Sequence, residues 1–327
     1  MTKCVLFVSS CLWLVACGPG GRNGDPGGGG GGGGGGANVD APHSHSPYQQ
    51  NILMLDFRSG WWAGSAGNFH ETVLAPLRDS GTSINIEFHH FTVGNDVKCL
   101  YAPNMPSSCQ TLTMSSSPTP SEVVAQFEMQ DWNDYTQVWI LSGSDKDQSD
   151  IVVTGDLFAH FIGQAGSSCI PVFIGAGDGF ITHANAMAQA LTMGTIMSTS
   201  FASPGFFFGT SNVTVDSKMM AGMQLTSHEL FNNVQVVADG VGNGLQHTHG
   251  DALVANPLVQ VIATDSTNVP VIGIGSLALP GSINTRPFIL DAGMQRYYGS
   301  TVLPDTLQLL KNIRHYLATH GCNAVIE

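Results

Sequence analysis

An unbroken run of glycine from Gly27 to Gly36 divides this chain into two parts that cannot share one core. Glycine loses more conformational freedom on ordering than any other residue and brings no apolar surface to bury, so such a run stays unfolded. Pro, Asn, Asp and Ser surround it from Gly18 to about Pro47. The stretch reads as a tether whose end-to-end distance, for about thirty flexible residues, is on the order of 30 Å. His43 and His45 fall inside it and read as solvated linker residues. Folding is thereby confined to residues 48–327, a length that suits one large α/β domain. Ahead of the tether, Lys3 precedes an apolar run from Val5 to Val15, the layout of a secretory signal. That run is well short of the roughly 20 residues that cross a bilayer.

The signal ends in Leu14-Val15-Ala16-Cys17, which resembles the lipobox of bacterial lipoproteins. The resemblance implies cleavage after Ala16, removal of residues 1–16 and lipidation of Cys17, which then heads a tether of residues 17–47. Buried acyl chains contribute about 0.8 kcal/mol per methylene, so two or three chains on one sulfur anchor a protein without a spanning helix. The domain is then expected in the cell envelope, anchored to a membrane on its periplasmic or extracellular side.

Charge narrows the partners. Eleven Lys and Arg stand against 24 Asp and Glu, a formal net charge of −13. A nucleic-acid binder needs a basic face to replace phosphate counterions, and none is present, so no nucleic acid is expected. Electrostatic docking to anionic lipid is disfavoured on the same ground, which leaves the lipid as the membrane contact. After Cys4, Cys11 and Cys17 are set aside, Cys99, Cys109, Cys169 and Cys322 remain. An even number in an exported chain suggests disulfides. Cys99 and Cys109 bracket a Pro/Ser/Asn-rich loop, while Cys169 precedes an apolar strand and Cys322 follows the last helix. Helix ends and strand starts meet at the amino edge of a parallel sheet, which favours Cys99 with Cys109 and Cys169 with Cys322.

Along the domain, Asn51–Phe57 reads as a buried first strand and Phe69–Leu77 as a helix. Ser83–Phe91 alternates apolar and polar residues, as a strand near a sheet edge would. Pro120-Ser121-Glu122 opens a helix through Phe127, followed by strands at Gln137–Leu141 and Ile170–Ile174. Helices are expected at Asp150–Ile162 and through Leu191. Met193–Val241 reads as a β-rich or irregular insertion. Strand-like runs at Val259–Ala263, Val269–Ile274 and Pro287–Asp291 then lead to a last helix, Leu303–Leu317. Strand alternating with helix predicts a mainly parallel sheet with helices on both faces.

The order of these pieces resembles the class I glutamine amidotransferase-like fold, a flavodoxin-like sheet, over most of residues 50–320. In that family a Gly-x-Cys-x-Gly elbow carries the nucleophile; here the stretch is Gly175-Ala176-Gly177-Asp178-Gly179, with Gly177 in the nucleophile slot. His228-Glu229-Leu230-Phe231-Asn232-Asn233-Val234 is similar to the His-Pro-Leu-x-x-Gly-Val segment of trehalose-utilisation-like members, departing at Glu229 and Asn233. Phe288–Gly293 and the last helix look like the closing strand and helix. Glycine supplies neither thiolate nor base, so glutaminase chemistry is not expected.

Ligands of open α/β sheets bind beyond the carboxyl ends of the strands. Arg58-Ser59-Gly60-Trp61-Trp62, Ser142-Gly143-Ser144-Asp145 and Gly175–Gly179 should meet there. Arg58, Trp61, Trp62, Ser142, Ser144, Asp145, Gly177 and Asp178 are accordingly the candidates for holding a small polar molecule or a protein partner. Trp61 and Trp62 packing under the loop, and Asp178 capping a helix, account for the same residues without a ligand. His247, His249 and Asp251 would share one side of an extended segment and have the ligand chemistry of zinc, though exposed loop histidines explain them as well. His89 and His90 must point to opposite faces of a strand. The leading expectation is a non-catalytic binding domain with no cofactor. Its rival is a metal-assisted hydrolase with zinc at His247, His249 and Asp251.

Overall fold

The computed structural model describes residues 49–56, 69–80, 83–92, 95–115, 119–129, 134–142, 170–176, 188, 208–209, 213–215, 224–225, 227–235, 247–249, 252–253, 258–264, 270–278, 285–293, 297 and 304–320. In chain order the strands are β1 (Gln50–Asp56), β2 (Ile84–Thr92), β3 (Asn95–Tyr101), β4 (Ser108–Thr113), β5 (Gln137–Ser142), β6 (Val172–Ala176), β7 (Phe208–Gly209), β8 (Val213–Val215), β9 (Gln224–Leu225), β10 (His247–His249), β11 (Ala252–Leu253), β12 (Gln260–Thr264), β13 (Pro270–Ala278) and β14 (Thr285–Asp291). A π-helical turn, His70–Leu74, runs into α1 (Ala75–Arg78); α2 is Pro120–Val124 and α3 is Pro304–His320.

Ten of these strands form one sheet, in the order β4-β3-β2-β1-β5-β6-β14-β13-β12-β9. The five central strands β2, β1, β5, β6 and β14 are mutually parallel. Every pairing outside them is antiparallel. Apolar runs such as Ile52-Leu53-Met54-Leu55 are buried on both sides, as parallel strands covered on two faces require.

The expected flavodoxin-like, amidotransferase-like sheet with helices on both faces is therefore corrected to a mixed sheet in which, among the described residues, strand outweighs helix. Connection length is the physical reason. Only residues 265–269 separate β12 from β13 and only 279–284 separate β13 from β14, whereas a parallel crossover needs a dozen residues or more. At the other margin, the expected Cys loop is instead the β3–β4 hairpin, and β2 lies inside the sheet between β1 and β3 rather than near an edge. In the second half, β8 pairs with β10 and β7 with β11, both antiparallel. The helices expected at 150–162 and through 191 lie outside the described residues.

Helix α3 spans Pro304–His320 and buries Leu309, Leu310, Ile313 and Leu317, so Leu309 rather than Leu307 completes its apolar stripe. It covers the face of the sheet that carries Met54, Trp139, Leu141 and Phe173, where these side chains meet Phe69, Val73 and Leu310 around a void of only about 10 Å³. That is at the lower limit for holding one water. The opposite face is covered by α2 and the residues that follow it. A capping box starts α2: the Thr119 hydroxyl accepts from the Glu122 amide at 3.2 Å while the Glu122 carboxylate accepts from the Thr119 amide at 3.4 Å.

Gly275 on β13 marks a close approach within the sheet. A Cβ there would lie 2.0 Å from Cζ of Phe288 and 2.4 Å from the Leu258 carbonyl oxygen. Backbone cannot step aside as a side-chain tip can, so Gly275→Ala should destabilise the fold by at least the roughly 1–3 kcal/mol typical of overpacking. Urea unfolding of this variant against wild type is the check, and an unchanged midpoint would show that β13 and Phe288 adjust freely.

Candidate functional site

The chain passes from β1 to β2 on one side and later to β5 on the other, so the strand order reverses at β1. Connections diverge at such a point and leave a crevice beyond the carboxyl ends of the strands. The register sets one row across that edge: His90, Asp56, Leu141, Gly175 and Asp291 are lateral neighbours. Neighbours in a row project to the same face.

Two carboxylates end that row, and they differ in role. Asp291 is fully buried, with one oxygen accepting from the Tyr297 hydroxyl at 2.5 Å and the other from the Gly293 amide at 2.8 Å. These bonds fix the chain as it leaves β14, so Asp291 anchors the turn. Asp56 is also fully buried, and its Oδ2 lies 3.1 Å from Nδ1 of His90, itself 2 % exposed. A carboxylate on one ring nitrogen holds the tautomer and orientation of an imidazole. His89 and His90 fall on opposite faces of β2, as the alternation of a strand predicts, whereas Asp56 reads in sequence only as part of the first strand. Its signal was a carboxylate closing an otherwise apolar strand.

Ser142, the last residue of β5, pairs with Ala176 and so stands at this edge. Arg58, Trp61, Trp62, Ser144, Asp145, Gly177 and Asp178 lie outside the described residues, as do Cys17, Cys169, Cys322 and Asp251. His247 and His249 are on β10, paired with Val215 and Val213 of β8. Cys99 and Cys109 form a disulfide between directly opposed residues of β3 and β4, with Cα atoms 4.1 Å apart. Asn233, which departs from glycine in the resemblance above, has a φ of 58°, a left-handed conformation that asparagine tolerates better than most residues.

A second polar cluster lies on the opposite face and was not foreseen. Nδ1 of His89 is 2.6 Å from Asp96 and Nε2 is 2.9 Å from Glu87. Glu87 also accepts from the Tyr135 hydroxyl at 2.5 Å and the Glu128 amide at 2.7 Å. Lys98 donates to the Gln126 carbonyl at 2.6 Å and lies 2.8 Å from Glu128 and 3.4 Å from Glu87. Glu87, His89, Asp96 and Lys98 are all buried, at no more than 6 % exposure. The Phe127 ring meets the His89 imidazole edge-on at 4.9 Å, and the Phe91 ring stacks on it at 5.9 Å. The polar residues of β2's alternation thus form a buried ionic cluster.

Two carboxylates and one ammonium leave a buried charge that only protonated His89 cancels. Burial alone would lower the His89 pKa, but the hydrogen bonds and charges of Asp96 and Glu87 outweigh it and raise the pKa above its ordinary 6.5. Burial likewise favours neutral Glu87, yet hydrogen bonds from His89 and Tyr135 hold its pKa below the usual 4.5. The His89 contribution to stability is complete below pH 6.5 and is lost as pH rises through the elevated folded value. That of Glu87 is complete above pH 4.5 and is lost as pH falls through its depressed value. Urea unfolding across a pH series should therefore show an alkaline decline that His89→Gln removes; an identical decline in that variant would assign it elsewhere.

Comparison with known proteins finds no matching family model, no matching curated protein and no matching solved structure.

Proposed function

We propose that this chain is a lipid-anchored protein of the cell envelope whose mixed-sheet domain binds a small polar ligand at the carboxyl edge of its parallel strands. The observation that carries the reading is the buried Asp56–His90 pair at the point where the strand order reverses. An ionisable pair held this far from water gives an orienting group to a polar molecule in the crevice, and Ser142 stands on the same edge. The signal, the lipobox and the glycine tether support export, and the Cys99–Cys109 bridge suits an oxidising compartment.

The ligand part is tested by thermal unfolding of the chain against a panel of sugars, amino acids and short peptides, with Asp56→Asn as the comparison. A ligand at 100 times its Kd stabilises by about 2.7 kcal/mol, which is readily seen. A shift in wild type that shrinks in Asp56→Asn is the expected result; no shift from any compound, or equal shifts in both proteins, would count against the site. The anchor is tested separately by incorporation of labelled fatty acid, which should disappear in Cys17→Ser.

The second reading, zinc-assisted hydrolysis, draws on the presence of both His247 and His249 on β10. Zinc at unit stoichiometry in the purified chain, lost in His247→Ala/His249→Ala, would move the assignment there.

A further inference from the structure

One corner of the molecule, where β3 and β4 meet the π-helical turn, gathers soft ligands. His70 begins the π-helical turn, and a ring nitrogen of it and the sulfurs of Cys99 and Cys109 all lie within 4.8 Å of one another. The imidazole is fixed by its neighbours: it stacks on Tyr101 at 5.6 Å and meets Phe88 edge-on at 5.8 Å. Helical turns of the π type are rare and concentrate at functional sites. Cys99 is fully buried, whereas Cys109 lies on β4, a strand exposed at nearly every position.

We propose that reduction of the Cys99–Cys109 bridge turns this corner into a binding site for a divalent ion of the zinc class, with two thiolates and one imidazole as ligands. A small dithiol attacks the bridge at Cys109, a residue of the exposed strand β4, forms a mixed disulfide and leaves as its own cyclic disulfide. The dithiol is oxidised by two electrons, and Cys99 and Cys109 take up two electrons and two protons as thiols. The metal ion then displaces those two protons, and neutral His70 supplies the third ligand.

Geometry favours this outcome over two thiols drifting apart. Cys99 and Cys109 are paired residues of an antiparallel ladder that runs from Asn95–Thr113 to Leu100–Ser108. Five further residue pairs hold the strands in register when the sulfur bond is cut. Zinc takes sulfur at about 2.3 Å and imidazole nitrogen at about 2.0–2.1 Å, so a tetrahedral centre asks for ligand atoms roughly 3.5–3.8 Å apart. The three atoms already fall within 4.8 Å of one another, close to that spacing. A fourth position stays open to water. While the bridge is closed, neither sulfur is a thiolate and the corner has no affinity for the ion.

The test is a cobalt(II) titration of the full chain before and after reduction, read by thiolate-to-cobalt charge-transfer absorption. Cys99→Ser/Cys109→Ser controls for the other cysteines, and far-UV circular dichroism is recorded alongside. The proposal expects no band in the oxidised protein and a band saturating at one added equivalent in the reduced one. It expects that increment to be missing in the double variant, and affinity to fall about 10–100-fold in His70→Ala, whose fold the dichroism checks. His70→Gln, which fills a similar volume without the ring nitrogen, should weaken binding likewise. A reduced wild-type protein that gives the same band as the double variant, that binds equally well without His70, or that loses its fold on reduction overturns the proposal.

Discussion

Replacing Glu87 with alanine is expected to cost the domain about 3–5 kcal/mol, the range seen when one member of a buried ion pair is removed and the rest stay behind. Four groups lose their acceptor together: the His89 imidazole, the Lys98 ammonium, the Tyr135 hydroxyl and the Glu128 amide. Burial, together with the charge of Glu87, pushes the Tyr135 pKa upward, so that hydroxyl remains a donor in search of a partner across the whole working pH range. Glu87→Gln separates the components. It keeps the shape but leaves His89 with Asp96 and Lys98 with Glu128 as their remaining carboxylates, and combining it with His89→Gln should restore part of the loss, a coupling a double-mutant cycle reads directly. The measurement is urea unfolding at neutral pH with the denaturant slope monitored. A loss below about 1 kcal/mol, the ordinary value for an exposed pair, would mean that water reaches the cluster.

Trp139→Ala should cost a similar amount, about 3–5 kcal/mol, through the cavity it leaves. The indole is 1 % exposed at the middle of β5, and its ring centre is 4.9 Å from that of Phe173 on β6. Its N–H donates to the Gln137 side-chain oxygen at 3.0 Å, and the Gln137 amide in turn donates to the Arg314 carbonyl of α3 at 2.7 Å. One residue therefore fills the space between sheet and helix and also orients the polar link between them. Trp139→Phe distinguishes the two contributions, since it keeps most of the packing and orphans only the Gln137 oxygen, for about 1–3 kcal/mol. Equal losses in the two variants would place the energy in the hydrogen bond rather than the packing.

The central sheet was readable because its strands are apolar without interruption. Asn51–Phe57, Gln137–Leu141 and Ile170–Ile174 became β1, β5 and β6 to within two residues. The margins were harder, and for two different reasons. Antiparallel neighbours such as β12, β13 and β14 carry the same apolar signature as parallel ones, so only the short connections between them betray the direction, and these were outweighed by the expected helix alternation. In β2 to β4 the misleading feature was chemistry. Glu87, His89, Asp96 and Lys98 look like a wet surface one residue at a time, and become a core only when β2 and β3 are laid side by side. The disulfide was legible because two cysteines ten positions apart can close on each other locally. The Asp56–His90 pair depends on a register between strands that no linear spacing reveals.

The place where the chain enters the sheet also determines how the domain bears load. The first described residues lead directly into β1, which has a parallel neighbour on each side, β2 along seven positions and β5 along five. A pull on the chain ahead of Gln50 acts along the axis of β1, while the hydrogen bonds to β2 and β5 lie across it. They are loaded in shear and must give way together, whereas a strand at a margin would peel off bond by bond. A domain held by its amino-terminal end is thereby gripped at a strand bonded on both sides, which should resist the pull better than a strand at the margin would.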